Sequence, residues 1–195
     1  MNPILNRSMF FVKEHVGMFK ASKNFDILDP ESKAIILICR EENMPFFTKM
    51  LRFSDYKRMT PFAIDIKTPE GKTLITVKRG WTFFRSVVEV FDENGQLVGT
   101  FRQKMLSIGG KFDLLAPDGS LMCTLRGKWT SWDFTFERDN QQFARVTKKW
   151  AGFGKELFTT ADNYMLSIEP SVAPNDPMRQ LIIASVMCID LVLKE

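Results

Sequence analysis

Apolar and polar residues alternate with a period of two along the middle of the chain, the mark of strands with one buried and one wet face. Leu97, Gly99 and Phe101 share one face, while Thr100 and Arg102 share the other. Leu121, Cys123 and Leu125 repeat the inner row, and Thr124 and Arg126 the outer one; Ile75, Val77, Thr76 and Lys78 form the preceding copy. The copies lie 24 residues apart, as do Gly71, Gly95 and Gly119, each in a turn-forming stretch, and Trp81, Met105 and Trp129. A fourth copy, with a shorter step, turns at Arg138-Asp139-Asn140 and ends at Trp150, and a similar turn, Asp29-Pro30-Glu31-Ser32, precedes the series. Asn94-Gly95 and Asp118-Gly119 between alternating runs predict type I′ hairpins, which need positive φ. Each repeat is therefore one β-hairpin, and the array covers about residues 62–150. So many strands curl, and closing them into an antiparallel barrel removes the exposed edges.

Two segments carry helical patterning instead. Phe46, Phe47, Met50 and Leu51 follow Asn43 at helical spacing, which predicts a short helix over Pro45–Phe53. Near the end, Asp176 stands as N-cap and Pro177 at the first helical position, and the run to Leu193 is apolar on every side. A helix apolar all round is buried all round. At 1.5 Å per residue it is about 24 Å long, the height of a small barrel, so a helix threaded through the barrel satisfies both patterns. Gly99 and Cys123, small and inward, would make room for it.

Composition narrows the chemistry. The 195 residues are 45% apolar, too many for disorder, and suit a single domain spanning 1–195 with a full hydrophobic core. Three cysteines without close spacing argue for a reducing compartment, and a single histidine leaves little for imidazole catalysis or metal binding. No leader is visible, and the run Leu181–Leu193 is interrupted by Asp190 and shorter than the roughly 20 residues of a bilayer span. A cytoplasmic protein, peripheral at most, is expected. Asp55, Asp65, Asp113, Asp133 and Glu137 are scattered, and Ser107-Ile108-Gly109-Gly110 lacks the lysine of a phosphate loop. No enzyme and no cofactor are expected.

Charge placement says more. Residues 71–155 hold 14 Lys and Arg against 8 Asp and Glu, within a chain of net charge +4. Lys78, Arg102 and Arg126 recur on the outer face of successive copies, joined by Lys104, Lys128 and Lys149. Corresponding strands of a meander lie two apart, so the cations stand about 10 Å from each other. Such a column could hold anionic phospholipid headgroups. The plainer alternatives are a solvated barrel wall on a soluble interaction scaffold or, since Trp81, Trp129 and Trp150 lie near the cations, a nucleic-acid surface without a recognised motif.

Several stretches resemble the phospholipid scramblase and LURP-one-related family: Phe11-Val12-Lys13-Glu14-His15-Val16-Gly17, Phe47-Thr48-Lys49, Ser107-Ile108-Gly109-Gly110, Gly127-Lys128-Trp129 and, most specifically, residues 146–164, from Val146-Thr147-Lys148-Lys149-Trp150 to Asp162-Asn163-Tyr164. The resemblance implies a tubby C-terminal-like fold, twelve strands around a central hydrophobic helix at about 177–193. It also implies membrane-lipid binding, phosphoinositides included, with Ca²⁺-stimulated movement of lipid between leaflets. The chain departs from the pattern at the implied Ca²⁺ segment, where Thr160 and Ser171 replace carboxylates and leave Asp162, Asn163 and Glu169 as candidates. Ca²⁺ takes six to eight oxygens, several of them charged. The Pro-rich arm and palmitoylated cysteine cluster of animal scramblases have no counterpart here.

Overall fold

A computed structural model describes residues 1–15, 24–41, 59–82, 86–104, 111–128, 132–148 and 163–193, with the side chains of Lys128 and of 190–193 set aside. The strands are β1 (Met9–Glu14), β2 (Asn24–Leu28), β3 (Ile35–Glu41), β4 (Phe62–Lys67), β5 (Thr73–Arg79), β6 (Val87–Asp92), β7 (Leu97–Gln103), β8 (Phe112–Leu115), β9 (Leu121–Lys128), β10 (Asp133–Arg138), β11 (Gln141–Thr147) and β12 (Asn163–Ile168). They close in chain order into one antiparallel barrel, β12 pairing with β1. The helix α1 (Pro177–Leu193) runs inside it, contacting β5, β6, β7 and β12. The short helix expected over Pro45–Phe53 lies outside the described residues, as does Ser107–Gly110.

The three regular turns are built differently from the type I′ expectation. Gly71, Gly95 and Gly119 have φ of +93°, +76° and +84°, but the residues before them do not share that conformation. Each glycine N–H donates to the carbonyl three residues back, on Thr68, Asp92 and Ala116. The register then slips by one residue beside each turn, at Ile66/Lys67, Val90/Phe91 and Leu114/Leu115. This is the hairpin whose type I turn ends in a left-handed glycine and a bulge. The fourth turn is the type I′ one: Asp139 and Asn140 sit at φ +52° and +64°, and Arg138 pairs directly with Gln141. Two loop residues rather than three account for the shorter step of that copy.

The inner face matches the alternation, with one correction. Ile75, Val77, Phe101, Cys123 and Leu125 are buried, whereas Leu121 is 44% exposed and Leu97 only half-buried. Both leucines sit at the first rung beside a bulged turn, where the slip in register takes them off the core face.

Every residue from Met178 to Ile189 is buried, and the Asp176 carboxylate caps the helix by accepting from the Met178 N–H at 2.8 Å. Arg179 is buried with them and ties the helix to the chain around it: its guanidinium donates to the carbonyls of Ala173 (2.9 Å), Val172 (2.7 Å) and Arg7 (3.0 Å). Gly99 on β7 faces the helix closely. A Cβ there would stand 2.4 Å from the Leu115 carbonyl oxygen and 3.0 Å from the Leu181 side chain. Gly99→Ala should therefore cost about 1–3 kcal/mol by overpacking, read from the urea midpoint at unchanged slope.

Candidate functional site

Lys78, Arg102 and Arg126 point outward and are exposed, on β5, β7 and β9. They stand near the strand ends that join the longer connections, as does Lys104 just past β7. Lys128 is the last residue of β9, opposite Asp133 in the register; Lys149 lies outside the described residues.

The intervening strands carry a second series. Asp65, Glu89, Asp113 and Glu137, one on each of β4, β6, β8 and β10, are themselves 24 residues apart. Glu89 is the register partner of Lys78, and Asp113 that of Arg102. Arg126 Nη1 lies 2.8 Å from Glu137 Oε1, and Lys104 Nζ lies 3.0 Å from Asp113 Oδ1. Thr76 and Thr124 donate to Asp65 (2.9 Å) and Asp113 (3.0 Å) from the next strand. The outer wall is thus a ladder of alternating sign in which Arg102 has no ion-pair partner among the described residues. The acidic series follows the same step as the glycines and is legible in the sequence where the first strands of the hairpins align with one another.

Cations also meet aromatic rings here. Lys78 Nζ stands 5.3 Å from the Phe91 ring centroid. Lys148 Nζ is 4.3 Å from the centroid of Trp132 and 5.4 Å from that of Tyr164, two rings 5.0 Å apart. Trp132, which sequence patterning did not single out, adopts φ +48° and leans on the core. Trp81 is 51% exposed.

The histidine belongs to a separate network. His15 Nε2 lies 2.6 Å from Asp26 Oδ2, and Arg40 donates to the other oxygen at 2.7 Å and to the Phe25 carbonyl at 2.7 Å. Strands β2 and β3 are latched by these bonds, and the nearby Cys39, whose carbonyl also accepts from Arg40 at 3.0 Å, is buried. The thiols are equally quiet: Cys39, Cys123 and Cys188 are buried, and burial pushes all three pKa values up, that of Cys123 to about 12. A thiol held neutral in the fold ionises first in the unfolded chain. Stability should therefore be intact below the ordinary thiol value of 9.0 and fall as pH climbs from there toward about 12. Denaturant melts across that range measure it, and thiol reagents should label the native chain far more slowly than the unfolded one.

The scramblase family model matches residues 9–195, nearly the entire chain. The chain belongs to the scramblase family. It is 22% identical over 191 residues to altered inheritance rate of mitochondria protein 25 of Saccharomyces cerevisiae, covering 85% of this chain and 58% of that protein. It thus spans little more than half the length of this curated relative. No solved structure matches it.

The scramblase resemblance implied Ca²⁺; among the described residues the candidate ligands do not come together. Asn163 opens β12 and Glu169 follows its last residue, so an extended strand holds them roughly 20 Å apart, at opposite ends of the barrel. Glu169 accepts instead from Gln142 at 3.1 Å, and Asp162 lies outside the described residues. Among the described residues no three carboxylate, imidazole or thiolate groups converge. Nor is any described helix long and apolar enough to cross a membrane.

Proposed function

We infer that this scramblase-family domain binds anionic phospholipid at the membrane surface, through electrostatic contact rather than a spanning helix. The observation that carries the reading is the outward column of Lys78, Arg102 and Arg126 on a barrel of this family, with Arg102 available to a phosphate. The wall ladder limits its strength. Exposed ion pairs contribute about 0–1 kcal/mol each, so a bilayer phosphate competes for Lys104 and Arg126 at little cost. Each cation near an anionic leaflet adds about 1 kcal/mol. Movement of lipid between leaflets would be a further step, requiring assembly or insertion.

Co-sedimentation tests the reading. Vesicles of phosphatidylcholine with roughly a third phosphatidylserine should pull the chain down, and pure phosphatidylcholine should not. Binding should weaken as salt shortens the Debye length from about 10 Å at 0.1 M to about 3 Å at 1 M. Millimolar Ca²⁺ should leave the melting temperature unchanged. Equal recovery with both vesicle types would favour the soluble scaffold.

A further inference from the structure

In an up-and-down barrel the connections alternate between two ends, and here the ends differ in kind. The tight turns at 29–34, 68–72, 93–96, 116–120 and 139–140 gather at one end and contain six acidic and two basic residues and no aromatic. The opposite end takes the longer connections, whose described residues (15, 59–61, 80–82, 86, 104, 111, 132 and 148) include three lysines and two tryptophans and no acidic residue. Of these, Trp81 is half exposed, Lys104 and Lys111 flank the β7–β8 connection, and Lys148 lies over Trp132. The C-terminal end of α1 lies here too, since the helix starts beside Val172 and Arg7 at the tight-turn end.

We propose that the long-connection end is the membrane-contacting face, so that the barrel stands on an anionic bilayer with α1 near the membrane normal and its acidic turns directed away. The proposal rests on the lipid reading above and adds to it the face and the orientation. Charge complementarity selects this end, because a negative leaflet attracts its cations and repels the carboxylates of the other. Tryptophan then reinforces the choice, since its amphipathic ring settles at the headgroup level. The column of Lys78, Arg102 and Arg126 borders this end and becomes its rim.

Two measurements on the full chain test it, using phosphatidylcholine vesicles with roughly a third phosphatidylserine. In the first, phospholipids brominated on the acyl chain are included, and tryptophan emission of the wild-type chain should be quenched on binding. In the second, Lys104→Glu with Lys111→Glu should weaken binding at least tenfold, and Trp81→Ser should weaken it severalfold. Lys33→Glu with Lys72→Glu, an equal charge change among the tight turns, should leave it within twofold. Quenching needs no variant, so a variant that fails to fold does not remove the test. Sedimentation without quenching, or equal loss from reversal at either end, would overturn the orientation while leaving lipid binding intact. Failure of the wild-type chain to bind any vesicle would overturn the lipid reading and the orientation with it.

Discussion

Removal of residues 178–195 should leave a chain with no cooperative melt. Seven large aliphatic side chains of α1, Met178, Leu181, Ile182, Ile183, Val186, Met187 and Ile189, are 0–8% exposed. Each stabilises the fold by about 1.5–3 kcal/mol, so together they contribute about 10–20 kcal/mol. A domain of this size has only about 5–15 kcal/mol to lose. Their removal also uncovers the inner faces of the strands and strands the carbonyls of Ala173, Val172 and Arg7 without the Arg179 guanidinium. Circular dichroism and calorimetry of the truncated chain check the expectation. A sharp transition near that of the intact chain would mean that the helix lines the barrel without holding it.

Reversal of Lys78, Arg102 and Arg126 to Glu should cut binding to anionic vesicles by orders of magnitude with the fold intact. All three side chains are exposed, and each reversal sets a carboxylate against Glu89, Asp113 or Glu137, a like-charge cost of about 0.2–1 kcal/mol apiece. The lost Arg126–Glu137 pair adds at most about 1 kcal/mol. The charge at the membrane rim changes by six units, each worth about 1 kcal/mol near an anionic leaflet. Co-sedimentation with a parallel thermal melt separates the two effects. A folded variant that binds as the wild type does would place the contact elsewhere and favour the scaffold.

The barrel and its helix were legible because their signals are local and repeated. Asp176-Pro177 announces the start of α1, and apolar residues on every side announce its burial. Gly99 could be read as the gap the helix needs because its neighbours one copy before and after are Ile75 and Cys123. Turn type was less legible. Asn94-Gly95 and Asp118-Gly119 look like two-residue loops, and only the one-residue slip in register shows a third loop residue. Composition alone gives no view of which neighbour a charged side chain meets. In the sequence Arg126 stands as a cation, while the strand beside it also brings Glu137. The Ca²⁺ candidates come from the resemblance alone, and the six positions between Asn163 and Glu169 are a short step along a chain but the full length of β12 along a strand.

The order of elements also bears on how the barrel is made. The helix that fills it follows all twelve strands in the chain, and β1 finds its second neighbour only when β12 exists. During translation the early hairpins emerge before the helix that covers their inner faces. At roughly 5–20 residues per second the wait for α1 is on the order of ten seconds. The nascent chain should therefore stay bound to chaperones until α1 has emerged, and closure should be slow even then, since its decisive contacts are the most distant in sequence.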